Sequence, residues 1–139
     1  MQTFLTTRNL VENARCLDWR RLGKQRVEAK QIIDALDGKN SGGWVNHPAV
    51  LMWDGCQALL EYYFNVIAAE WKRRGYQHNM GWMEPRGKPV EPKWMELHGE
   101  KLYSSHRAAL LYKAPEHYTQ FGWTETPALD YWWPTEHGF

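Results

Sequence analysis

"DWRRLGKQRVEAKQIIDALDG", residues 18–38, decides the fold. Leu22, Ala29, Ile32, Ile33 and Leu36 recur at helical spacing and form one apolar stripe. Asp18 is a residue type that caps helix starts, and Gly38 is one that ends helices. The pattern predicts a helix over 19–37. On the other side of the wheel lie Arg20, Lys24, Glu28 and Gln31, with Arg21 beside them and Ala35 extending the face. Residues 20–31 hold five positive charges and one carboxylate. One reading is a solvent face with a Lys24–Glu28 pair at i,i+4, worth a few tenths of a kcal/mol. The other is a carboxylate kept ionised by neighbouring cations and held against a phosphate-rich ligand.

Further helices follow on both sides. A short one is expected over 8–16, with Thr6 and Thr7 as candidate caps. His47 and Pro48 open a third, with proline at its first position, running as one long helix to Gly75. Lys72, Arg73 and Arg74 suit the negative end of its dipole. "GKNSGGW", 38–44, reads as a loop. Residues 76–100 carry three prolines and read as a long irregular connection with one helical turn near 93–98. A last helix is expected over 104–113, capped by Ser104 or Ser105, and "APEHYTQF" adds a short helical turn. Strand signals are poor, with no clean period-two run. The expected fold is all-α: a single compact domain over 1–139, with about three main helices and long loops.

The bulk numbers suit that reading. The chain has 139 residues, of which 43% are apolar and 24% charged, enough for one core. Formal net charge is +1, but the charge is segregated. Arg8–Lys30 holds seven basic residues against three acidic, and Lys72–Lys113 holds nine against four. Beyond Lys113 there are four acids and no Lys or Arg. Such a chain can present one basic face while its total stays near zero. Cys16 and Cys56 lie in apolar-periodic stretches without zinc spacing, so two reduced, buried thiols in a cytoplasmic protein are expected. No signal peptide and no membrane-spanning run is read. His78, His98, His117 and His137 form no ligand pattern, so no metal is expected. P-loop, GxGxxG, GxSxG and HExxH motifs are absent.

Nine tryptophans stand out. Most aromatics pack, but Trp44, Trp82, Trp94, Trp123, Trp132 and Trp133 fall in Gly/Pro-rich connections. Aromatics on loops beside Lys and Arg stack nucleobases in nucleic-acid-binding proteins. His47 reads as a helix cap or core residue before a catalytic one. His106 and Arg107 sit where a last helix begins, a position that suits phosphate.

Four segments in order resemble the pyrimidine dimer DNA glycosylase family, of the T4 endonuclease V type. They are "LDWRRLGKQRVEA" (17–29), "NHPAVLMW" (46–53), "EWKRRGY" (70–76) and "YSSHRAALLYKAPEHY" (103–118). The resemblance implies a DNA repair glycosylase with AP-lyase activity, acting on damaged pyrimidines in double-stranded DNA. It implies amine attack on the sugar C1′, a Schiff base and β-elimination, with no cofactor, in a monomer found in the cytoplasm on the nucleoid. Glu28 matches the family's catalytic glutamate. Arg20, Arg21, Lys24 and Arg26 would grip phosphates, with Gln31, His47, His106 and Arg107 as further DNA contacts. The family's amine is the α-amino group of the chain start, which titrates near pH 7.7–8.0 and is partly neutral at cell pH. Its best-known member exposes a threonine there. Here residue 2 is Gln, too large for efficient methionine removal, so the amine is that of Met1. Lys24, one turn from Glu28, is the alternative nucleophile, and water a third. Val27 and Gln31 stand where that member has arginines. Two other readings stay open: a glycosylase for another modified base, and a non-catalytic DNA- or RNA-binding module.

Overall fold

The computed structural model describes residues 2–39 and 43–139. Among the described residues six α-helices run in the order α1 (Leu10–Cys16), α2 (Trp19–Leu36), α3 (Pro48–Leu51), α4 (Gln57–Arg73), α5 (Lys93–Lys113) and α6 (Pro115–Tyr118). Short 3-10 turns occupy Gly43–Asn46, Thr119–Phe121 and Pro134–His137. No strand occurs among the described residues. The fold is all-α, as expected.

The α2 stripe is where the spacing placed it. Leu22, Ala29, Ile32 and Ile33 are buried, and they join Leu60, Tyr63, Phe64 and Ile67 of α4 in the core. Gly23 explains how closely α2 and α4 approach: a Cβ there would meet the Trp71 ring at 2.9 Å. Ala35, expected on the cationic face, is buried with the core instead.

Three expected elements differ. The third helix is not continuous: α3 stops at Leu51 and α4 starts at Gln57. Between them Gly55 takes φ +88, a conformation that L side chains avoid and that a helix cannot contain. The turn at 93–98 and the helix at 104–113 are one element, α5, kinked at His98 (φ −137, ψ 19). Ser104 and Ser105 therefore cap nothing; Ser104 donates to Glu125 and Ser105 to the Leu102 carbonyl. Asn9, not Thr6 or Thr7, caps α1, accepting from Glu12 N–H at 3.0 Å. Asp18 sits at the α2 N-cap, but its carboxylate serves Tyr118 and Arg21 rather than a helix amide. The 38–44 loop falls largely on 40–42, and the side chain of Trp44 also lies outside the described residues.

Residues 2–6 precede α1 outside any helix or strand, yet Thr3, Phe4, Leu5 and Thr6 are all buried. A buried segment without helix or strand bonds must find other hydrogen-bond partners. Here side chains supply them. The tail closes over the same region: Ala128 N–H donates to the Ala108 carbonyl, and Tyr131 meets the His106 ring edge-on.

Candidate active site

The geometry starts from Gln25, a residue with no role in the sequence reading. Its side chain is 1% exposed. Oε1 accepts from Phe4 N–H at 2.9 Å and from the Tyr63 hydroxyl. Nε2 donates to the Gln2 carbonyl at 2.9 Å and to Glu28 Oε2 at 3.0 Å. One amide thus binds the chain start to α2 and to the carboxylate one turn along. Gln2 completes the link, its own N–H donating to Glu28 Oε2 at 3.2 Å. Among the described residues nothing donates to Oε1 of Glu28.

Other side chains fix the rest of the segment. Trp53 Nε1 donates to Thr3 Oγ1 at 3.0 Å. The Phe4 carbonyl accepts from Asn13 Nδ2 at 2.9 Å and lies 2.9 Å from the Tyr63 hydroxyl, whose one proton it shares with Gln25 Oε1. Leu5 N–H donates to His106 Nδ1 at 2.9 Å, and Thr6 N–H to Asn13 Oδ1 at 2.7 Å. Arg107 donates to the Thr6 carbonyl at 2.7 Å. Each such bond contributes about 1 kcal/mol, and each buried group left unpaired would cost about 1–3.

Glu28 opens on a cleft of about 610 Å³ lined by Gln2, Phe4, Trp19, Arg20, Arg21, Lys24, Gln25 and Lys113. The Lys24–Glu28 pair that the i,i+4 spacing allows does not form. Arg20, Lys24 and Lys113 make no ion pair among the described residues, and Arg21 pairs only with Asp18 at 3.2 Å. Lys113 comes from the far end of α5 and sets its ammonium over the Phe4 ring at 5.5 Å. Partial burial, with Arg21 and Lys24 nearby, pushes its pKa below the usual lysine range. Trp19 is 55% exposed at the mouth, with the Arg20 guanidinium 5.3 Å from its ring. The cleft therefore joins unneutralised cations, one carboxylate and an exposed aromatic ring, a set suited to phosphates around a reacting sugar.

The expected site residues divide. Arg20, Arg21, Lys24 and Glu28 come together in the cleft. Met1 lies outside the described residues. Gln31 is exposed on α2 but does not line the cleft. Arg26 points the other way: its guanidinium lies 4.5 Å from the Trp71 ring and bonds His78 at 3.0 Å. His47 caps α3, accepting from Ala49 N–H at 3.0 Å, and packs edge-on to Trp133. His106 is wholly buried rather than at a DNA surface, and burial lowers its pKa to about 3. Arg107 is committed to Glu100, Glu125 and the Thr6 carbonyl. Both therefore position the chain start.

Sequence reasoning missed Gln25, Trp19 and Lys113. Gln25 lies between Leu22 and Ala29 on the buried arc of the wheel; a polar residue there is the signal that could have found it. Lys113 joins the cleft only through tertiary packing.

Among the described residues no group of three or more His, Cys, Asp or Glu is arranged to hold a metal, and no helix is long and apolar enough to cross a membrane. Comparison with curated proteins and with solved structures gave no match. A family description, pyrimidine dimer DNA glycosylase, matches residues 1–84. That span holds the chain start, Gln25, Glu28 and the cationic helix; the resemblance seen at 103–118 lies beyond it. With more than half its length matched, and with its first residues tied to the carboxylate of α2, the chain belongs to the pyrimidine dimer DNA glycosylase family.

Proposed function

We propose that the chain is a DNA repair glycosylase with AP-lyase activity on pyrimidine dimers, acting as one domain over residues 1–139. The observation that carries this reading is the bond from Gln2 N–H to Glu28. That bond holds Gln2, the first described residue, at the carboxylate of a cationic cleft. The nucleophile in this reading is the α-amine of the preceding residue.

In this reading the neutral amine attacks C1′ of the damaged nucleotide. The C1′–N bond forms as the glycosidic bond breaks, and the departing base takes a proton. Ring opening gives an imine between C1′ and the amine. A proton then leaves C2′, and the 3′ phosphate departs by β-elimination. Glu28 stabilises the positive sugar in the first step and moves protons in the later ones. Arg20, Lys24 and Lys113, whose charge is free for that use, hold the flanking phosphates, with the Asp18-paired Arg21 beside them. Gln25 and His106 hold the chain start in place. Lys24 is the alternative amine within the same cleft.

The test is a duplex carrying one cyclobutane pyrimidine dimer. The wild-type protein should release the glycosidic bond and nick that strand at the dimer, and Glu28→Gln should bind the duplex without nicking it. A wild-type protein that leaves the dimer intact but cuts at another modified base would move the substrate. One that binds and cuts nothing would leave a binding module.

A further inference from the structure

On the flank of α2 away from the cleft, the chain carries a second surface of aromatic rings and cations. Arg26 and Glu28 are two residues apart on one helix and so point about 160° away from each other. Arg26 lies over Trp71, which stacks on Tyr76 at 4.2 Å and 22°. His78 links Arg26 to Trp82, bonding the first at 3.0 Å and lying 5.1 Å from the ring of the second. Lys72 sets its ammonium 5.8 Å from the Trp82 ring. Trp82 is 52% exposed and Tyr76 41%.

The exposure of Trp82 is built in. Its loop is pinned on both sides: Trp71 Nε1 donates to the Gln77 carbonyl at 3.0 Å, and Asn65 exchanges two bonds with Met83 at 2.8 and 2.9 Å. Met80 and Met83 pack on the core while Trp82 between them is held outward. Lys72 is also uncommitted to any carboxylate. Arg73 and Arg74 both pair with Glu70, whereas Lys72 beside them and Arg26 make no ion pair among the described residues. Flat rings flanked by unneutralised cations match a partner that brings both bases and phosphates.

We propose that this surface is a second DNA contact, away from the lesion, on which Trp82 stacks an unstacked base of the bound DNA while Lys72 takes a neighbouring phosphate. It rests on the reading of the chain as acting on DNA, and extends that reading to the side of α2 the reaction does not use. A protein partner at this face is the competing occupant.

The test separates binding from chemistry by using the Glu28→Gln protein and lesion-free DNA. Affinity is measured for a duplex with a central two-nucleotide mismatch bubble and for its fully paired counterpart. Adding Trp82→Ala should weaken bubble binding about tenfold and paired binding less than about twofold, with Trp82→Phe retaining most of the bubble affinity. Adding Lys72→Ala should weaken both alike and lower the salt slope by about one. Equal affinities with and without Trp82, or equal losses on both duplexes, would overturn the proposal and leave the face to a protein partner. Because no lesion is present, failure of the dimer-cutting assay would not affect this comparison, nor would its outcome affect that assay.

Discussion

Two groups of basic residues on this chain carry similar charge in different company. Arg107 bonds Glu100, Glu125 and the Thr6 carbonyl; Arg86 bridges Asp37 and Glu61; Arg8 reaches Glu91. Around the Glu28 cleft, Arg20, Lys24 and Lys113 have no carboxylate in ion-pair range among the described residues. The local net charges along the chain do not distinguish the groups. Charge already spent on a carboxylate or carbonyl stabilises the fold, while charge left facing a cleft can be neutralised only by a ligand. The Arg107 group and the cleft meet at the chain start, which the first holds at Thr6 and the second at Gln2.

The largest test of this contrast is removal of the one carboxylate in the cleft. Glu28→Gln should slow strand cleavage by about 10²–10⁴-fold and bind DNA as tightly or more tightly, measured by single-turnover nicking and by titration. Loss of binding would place Glu28 among the structural group.

Gln25→Ala comes next. It leaves Phe4 N–H unpaired in the core and the half-buried Gln2 carbonyl without its partner, and should cost about 3 kcal/mol, read as a lower denaturant midpoint. Cleavage by the folded fraction should fall as well, because the chain start is no longer held to Glu28. Wild-type cleavage in a destabilised but folded Gln25→Ala protein would separate the clamp from the chemistry.

Acid should act through His106. Its pKa in the folded protein, about 3, lies below the unfolded value near 6.5. The unfolded chain therefore takes up a proton that the folded chain refuses, and the stability due to the neutral ring is lost as pH falls through that interval. Between pH 7 and pH 5 the loss should be about 2 kcal/mol. Urea titrations at the two pH values would show it, and His106→Gln should flatten the dependence.

The smallest effects separate the two groups most directly. Lys24→Ala should weaken DNA binding a few-fold and lower the salt slope by about one, leaving thermal stability alone. Arg107→Ala should do the reverse, costing roughly 1–2 kcal/mol of stability with an unchanged salt slope. If both variants shifted the salt slope equally, the division into committed and available cations would fail.

What was legible in the sequence follows from what periodicity reports. The α2 stripe and the face carrying Arg20, Lys24 and Glu28 are properties of one helix, so spacing along one segment revealed them. The break at Gly55 and the joining of 93–98 to 104–113 were not, because a turn and a kink depend on what packs around them. Arg26 and Arg107 look like Lys24 in a sequence; only Trp71 and the acids at 100 and 125 tell them apart. The burial of residues 3–6 was hidden for the same reason, since its partners come from positions 13, 25, 53, 63, 106 and 107.

The central claim is that the chain-start amine and Glu28 form one reaction centre. Its most direct test mixes the protein with a duplex holding one abasic site, adds borohydride, and maps any covalent adduct by mass. An adduct on residue 1, present in wild type and lost when the chain start is blocked, is the predicted result. An adduct on Lys24, or none at all, would contradict it.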